Sequence, residues 1–412
     1  MERVVITGMG VISPIGNDVK TFWDNISAGK SGISMIETFD TTRYKTKIAG
    51  AVKNFDSESI FGRKEARRMD RYTQFAVAAA QQAIEDAGLK LDKMERERVA
   101  VYVGSGIGGI QTLLEQDEQL KRRGPERVSP LLVPMMIANI AAAAISIRYG
   151  ITGPTMSPVT ACSIGNTAIG EAMRLIRLGI ADVVLAGGAE AAITDISLAS
   201  FGNATAVSTR NDDPERASRP FEKNRDGFVI SEGAGIFTLE ALTHANARNA
   251  HIYGEVIGYG ASSDAYHIVA THPDGEGAFL AMRAALKDAG ISAAEIDLIS
   301  AHATSTEVGD RSETVAIKRL FGEDAYRIPI TANKSMLGHM LGAAGGVEAI
   351  ALVKSLNEGL IPPTINLQEQ DEQCDLDYVK NISRKASLRT AMSNSFGFGG
   401  HNAVIIIRNY EQ

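Results

Sequence analysis

The stretch "QAIEDAGLKLDKMERERVAVYVGSGIGG" (82–109) has a second version far along the chain, "AALKDAGISAAEIDLISAHATST" (284–306). Each runs through a helix, a glycine stop, an acidic linker, an apolar strand and a small-residue turn. Repetition on this scale restricts the fold more than any other feature, because a duplicated unit packs as two similar halves with a site where they meet. Other parts of the unit recur as well. A strand enters a helix first at Cys162 and again between Lys334 and Gly346, and "SEGAGIFTLEA" and "NSFGFGGHNAVIII" each close a half with a glycine turn and an apolar strand. The expected organisation is one compact body with a pseudo-twofold axis, its halves spanning residues 1–252 and 253–412.

Within the halves, β-branched runs alternate with amphipathic stretches, the pattern of an α/β protein. Strands are expected at 3–7, 98–104, 181–188, 296–302 and 403–409. Helices are expected at 73–88 and 278–290, each ending on a glycine suited to the left-handed position after a helix. Of the 412 residues, 44% are hydrophobic and 22% charged, which suits a globular chain with a large core. A net charge of −7 argues against broad nucleic-acid binding. No apolar run approaches the roughly 18–20 residues that span a bilayer. "MERVVITGMG" enters a strand directly, and two distant cysteines make no disulfide framework, so a reduced, cytoplasmic protein is expected.

Three groups of residues carry chemistry. In "VTACSIGNTAIGEAMRLI", Cys162 is flanked by small residues and followed at helical spacing by Ile164, Ala168, Ala172 and Ile176. A cysteine at a helix N-terminus faces unpaired N–H groups and the positive dipole end, both of which favour the thiolate. "SAHATSTEVGD" places His302 at a strand end with Thr304, Thr306 and Asp310 behind it, and "NKSMLGHMLGAAGG" places His339 shortly after Lys334. Two neutral imidazoles would supply two N–H donors to one oxygen. "NSFGFGGHN" has glycines for a tight turn and two phenylalanines, Phe396 and Phe398, to cover an apolar cavity. Cys374, His244, His251, His267 and His272 lie in polar or loop-like surroundings and are read as structural.

"TACS", "HATST", "NKSMLGH" with "GAAGG", and "NSFGFGGHN" occur in one order, and together they resemble the elongating β-ketoacyl-acyl carrier protein synthases, most closely the bacterial type II enzymes of fatty-acid elongation. The resemblance runs from "VVITGMGVISPIGN" to the last strand. It implies the thiolase-like α/β fold, a duplicated half giving five αβαβα layers. It implies that Cys162 takes an acyl group from a carrier-protein thioester, with the N–H groups of Cys162 and Phe398 as the oxyanion hole. His302 and His339 would hold the malonyl thioester carbonyl, and Lys334, partnered by Glu348, would orient them. Thr304 and Thr306 would bind the pantetheine arm, Phe396 and Phe398 would line and gate the acyl pocket, and Ile107 would bound its depth near a partner subunit. Asp310 has a supporting place. No metal or organic cofactor is implied; the partners are acyl and malonyl carrier protein and a second copy of the chain.

The resemblance also calls for a basic patch toward the acidic carrier, which "RKEARRMDR" offers as a helical stripe of Arg63, Lys64, Arg67 and Arg68, with Arg127 added. The chain departs from the family pattern at Ala303, at Ser163-Ile164, at Thr205 and at Ala332-Asn333, which bears on substrate choice and carrier affinity. A polyketide-type ketosynthase with a specialised primer stays open for that reason. A non-catalytic chain-length factor would lack the cysteine that is present here. An initiating synthase would pair cysteine with one histidine and an asparagine, and a degradative thiolase would need a second late cysteine. "GSGIGG" satisfies the dinucleotide fingerprint through Gly104, Gly106 and Gly109, but no second strand with an acidic ribose partner follows. A zinc site from Cys162, His302 and His339 lacks the paired ligand spacing.

Overall fold

The computed structural model describes residues 2–411. Five strands of the first half are β1 (Val4–Ile12), β2 (Val99–Gly104), β3 (Thr155–Met156), β4 (Val183–Glu190) and β5 (Gly233–Ala241), and five of the second are β6 (Gly254–Ser263), β7 (Leu298–Ser300), β8 (Ile330–Thr331), β9 (Thr390–Gly397) and β10 (His401–Arg408). In sheet order the first half reads β3-β2-β4-β5-β1 and the second β8-β7-β9-β10-β6, the same topology twice. The halves join where β1 meets β6, Val5 opposite Glu255 and Ile6 opposite Gly254, so ten strands form one sheet. The repeat read in the sequence is thus a repeat of topology.

Two outer helices flank the halves, α1 (Arg71–Asp86) and α3 (Glu276–Ala289), and two central helices lie between them, α2 (Ile164–Arg177) and α5 (Ala344–Glu358). The remaining helix used below is α4 (Glu307–Phe321). Asp70 caps α1 by accepting from the Tyr72 N–H. Gly88 and Gly290 follow α1 and α3 with φ of +62° and +66°, the left-handed stops expected of them.

Buried apolar residues form three large clusters. One joins α2 and α5 to the inner faces of both half-sheets, through Ile169, Ile176, Val347 and Ile350. The others pack α1 against the first half-sheet and α3 and α4 against the second. Helix, sheet, helix, sheet and helix therefore alternate as five layers. Ile164, Ala168, Ala172 and Ile176 are all fully buried, as their spacing requires. Truncating an isoleucine in such a place costs about 2–5 kcal/mol. The central helices touch where side chains vanish: a Cβ on Gly165 would lie 2.3 Å from the Gly346 nitrogen. Among the described residues no helix is long and apolar enough to cross a membrane.

Candidate active site

Both central helices begin at the same backbone device. Ala161 (φ +50°) leads the turn Ala161–Ser163 into α2, and Leu341 (φ +46°) leads Leu341–Ala343 into α5. Left-handed φ in residues other than glycine is strained, of order 1–3 kcal/mol, and persists only where surrounding packing enforces it. The first of these turns carries Cys162 into the wall of a cavity of about 710 Å³. The same cavity is lined by His302, His339, Phe396, Phe398, Ile107, Thr304 and Thr306, so residues scattered over three hundred positions converge on one space.

The backbone N–H groups of Phe398 and of Cys162 itself are directed at the thiol. Burial nevertheless pushes the thiol up to about 11, against the pull of the Lys334 cation and of those N–H groups. The low-pKa thiolate expected from a helix N-terminus is therefore corrected: desolvation outweighs the helix end, because the turn buries the sulfur before α2 begins at Ile164.

The two imidazole rings meet edge to face, with centroids 5.4 Å apart. Phe228 stands edge-on to His339, and Phe396 packs tilted against His302. His339 is pinned by its backbone, its N–H donating to the Val229 carbonyl at 2.7 Å. Lys334 and Glu348 are buried together at 2.5 Å. Burial, and then the Lys334 charge, hold both histidines well below the ordinary histidine value, with His339 adding to the effect at His302. They stand neutral at pH 7, each with one ring N–H to donate. Burial pushes Glu348 up to about 7 against the Lys334 charge.

Behind His302 lies a frame that sequence reasoning missed. The Glu313 carboxylate on α4 accepts from the backbone N–H groups of His302 (2.9 Å) and Ala303 (2.8 Å) and from the Asn394 amide (3.0 Å). Asp310 accepts from Ser305 and Phe221 N–H groups and faces buried Arg225 at 3.3 Å. Burial raises it to about 7, with Arg225 opposing. This loop runs left-handed at Ala303 (φ +32°) and Ser305 (φ +71°), a conformation natural to glycine, which gives the Ala303 departure a backbone cost as well as a methyl in the cavity. Thr304 and Thr306 hydroxyls bond one another at 2.9 Å. Thr205, also left-handed (φ +53°), lines the same cavity. Phe396 is nearly buried, whereas Phe398 is 39% exposed and stands 6.4 Å from Phe201, next to left-handed Gly399 and Gly400.

The basic run departs from its expected form. Gly62 (φ +76°) separates two short helices, and Arg63–Ala66 is a single turn, so Arg67 and Arg68 lie beyond its end rather than on one helical stripe. Arg63, Lys64, Arg67, Arg68 and Arg127 are all exposed, and Arg67 sits 4.0 Å from Glu58. In the "GSGIGG" loop, the N–H groups of Gly106 and Ile107 donate to the Glu190 carboxylate and that of Gly109 to the Met136 carbonyl, so the loop has no free cradle for a pyrophosphate.

A duplicated half around two central helices, with a cysteine turn facing two buried histidines, defines a condensing enzyme of the thiolase-like class. Residues 1–245 match the N-terminal domain of the β-ketoacyl synthases and residues 253–368 the C-terminal domain. The chain belongs to the β-ketoacyl synthase family. The 3-oxoacyl-[acyl-carrier-protein] synthase 2 of Staphylococcus aureus (strain COL) is 49% identical over 410 residues, 100% of this chain and 99% of that protein. The protein of the same name from Synechocystis sp. shows the same identity and coverage. Among solved structures, a β-ketoacyl synthase from Burkholderia phymatum superposes with a TM-score of 0.92 at 34% identity, covering 100% of both chains. A chain from a type II polyketide acyl-carrier protein in complex with its ketosynthase superposes at 0.91 and 37% identity, covering 99% of this chain and 100% of that one.

Proposed function

We propose that this chain is a 3-oxoacyl-[acyl-carrier-protein] synthase of fatty-acid elongation, working in the cytoplasm as a homodimer. The observation that carries the chemistry is the convergence on one cavity of Cys162, two backbone N–H groups and two neutral histidines. Sγ of Cys162 attacks the thioester carbonyl of an acyl carrier protein. The C–S bond to the pantetheine arm breaks, and the cysteine proton leaves with the carrier thiol, so no charge is stored on a buried sulfur. The N–H groups of Cys162 and Phe398 hold the oxyanion while it exists. Malonyl carrier protein then enters past Thr304 and Thr306. Its bond to the carboxylate breaks, CO₂ departs, and the electron pair moves into a thioester enolate whose oxygen accepts from His302 and His339. Charge that develops only during reaction is what fixed donors stabilise selectively. The enolate carbon attacks the acyl-cysteine, the C–S bond to Cys162 breaks, the departing sulfur takes up one proton from solvent to regenerate the thiol, and the product is a 3-ketoacyl thioester two carbons longer.

Lys334 and Glu348 position this pair, the cation adding to burial in keeping both rings neutral. Exposed Arg63, Lys64, Arg67, Arg68 and Arg127 suit an acidic carrier protein. The homodimer reading is supported by β3, one outer edge of the sheet, whose Met156 is 53% exposed and is followed three residues later by Val159, also exposed. An open apolar edge of this kind is one that a second copy covers.

The test is intact mass after incubation with octanoyl carrier protein and no malonyl group. Wild type should gain one octanoyl group and Cys162→Ala none. Absence of any adduct with short and long chains, on carriers of fatty-acid and polyketide type alike, would remove the condensing role.

A further inference from the structure

Of the carboxylates lining the cavity, Glu190 is the one that is buried, and the scheme above leaves it without a task. It ends β4, is fully buried, and lines the cavity beside Cys162. Its four hydrogen bonds come from neutral donors: Ser105 Oγ at 2.7 Å, Gly106 N at 2.9 Å, Ile107 N at 3.2 Å and Gly342 N at 3.1 Å. These fill the acceptor capacity of a carboxylate. The donors belong to two segments only, the loop after β2 and the turn that follows His339.

Burying a carboxylate without a cation is expensive, so its presence calls for a gain elsewhere. Activation of the cysteine is not that gain, since the negative charge disfavours the thiolate. The close approach is built in: a Cβ on Gly106 or on Gly342 would come within 2.9 Å of Oε2. The side chain of Ile164 lies in the same niche, its Cδ1 reaching toward both glycines. Ile107, whose N–H is held by this carboxylate, turns its side chain to the cavity.

We infer that Glu190 is a positioning residue: its carboxylate clamps the backbone of Gly106 and Ile107 to the Gly342 turn and so fixes the wall against which the acyl chain's length is measured. The inference rests on the ketosynthase reading above. A firm wall discriminates between chains that stop short of it and chains that must pass it, whereas a loosened wall admits both more evenly.

The experiment measures the rate of Cys162 acylation, by intact mass, with acetyl, butyryl, octanoyl and dodecanoyl carrier protein. Glu190→Gln turns an amide N–H₂ toward donors and breaks at least one bond. Its fastest-to-slowest ratio across the series should shrink at least five-fold relative to wild type. Ser105→Ala, which keeps the carboxylate and removes one donor, should shrink it about two-fold and decides the matter if the first variant does not fold. The inference is overturned if both variants change every chain by one common factor, if neither changes any, or if wild type has no chain-length preference to lose. A wild type that forms no adduct with any chain fails at the earlier step and sinks the ketosynthase reading itself.

Discussion

The two left-handed turns that open the central helices share a backbone and differ in everything laid on it. Before Ala161, residues 152–160 contain no buried position; before Leu341, residues 330–340 are buried throughout. The second segment is roofed by an excursion of the first half, with Ser218 donating to the Lys334 carbonyl and the His339 N–H to Val229. Among the described residues, none buries any position of the first. A duplicated scaffold thus separates its tasks: one turn offers a thiol and an open flank, the other a sealed frame that can keep a lysine, a glutamate and two histidines out of water.

The largest effect should come from the open flank. Met156→Asp combined with Val159→Asp should convert the protein from two chains to one, read by light scattering; a mass that stays at two chains would place the subunit contact elsewhere. On the sealed side, Lys334→Met leaves Glu348 buried without its cation and should cost about 3–5 kcal/mol in denaturant unfolding. Lys334→Met with Glu348→Leu should recover most of that loss. Equal costs for the single and double variants would show that the pair is not the source.

Gly342 stands in the second turn where Cys162 stands in the first. Gly342→Ala would set its Cβ 2.9 Å from both the Glu190 carboxylate and the Gly106 nitrogen. A loss of about 1–3 kcal/mol is expected for such overpacking, and a thermal midpoint equal to wild type would mean that the turn yields freely.

The smallest effect is one of pH. A histidine held neutral in the fold and free to protonate when unfolded stabilises less as pH falls below about 6.5. Glu348 and Asp310, pushed up to about 7, run the other way: their burial costs stability as pH rises from about 4 to 7. The two trends overlap in wild type, so the difference isolates the imidazole. The unfolding free energy of wild type relative to His339→Ala should drop by about 1 kcal/mol between pH 6.5 and 5.5. A flat difference would mean that His339 titrates normally in the fold.

What could be read from the sequence follows the same division. The strands, the helix stops at Gly88 and Gly290, and the cysteine turn are local matters, set by β-branched runs, left-handed glycines and helical spacing. The expected strand 296–302 runs two residues past β7 at each end; at the C-terminal end the His302 and Ala303 N–H groups turn to Glu313 instead of a neighbouring strand. Glu190 and Glu313 passed unnoticed: "GGAEAA" and "RSETVA" look like an ordinary strand end and helix face, and their partners lie elsewhere in the chain. The thiol's pKa was misjudged for a related reason, since desolvation is supplied by the whole cavity and a helix N-terminus is visible in one segment. Ala161 and Leu341 carry no glycine signal, because packing rather than residue type imposes their φ.

The seam between the half-sheets bears on how the chain is made. β1 leaves the ribosome well before the strands it pairs with, since Val4 lies opposite Ala241 and Val5 opposite Glu255. At about 5–20 residues per second, that strand waits on the order of ten seconds or more for a neighbour. During that interval β1 lacks both strands that flank it, and of its near neighbours α1 can meet the Met9 and Val11 N–H groups through Asp86 and Gln82. The nascent chain therefore has a long phase in which β1 is open to a holdase.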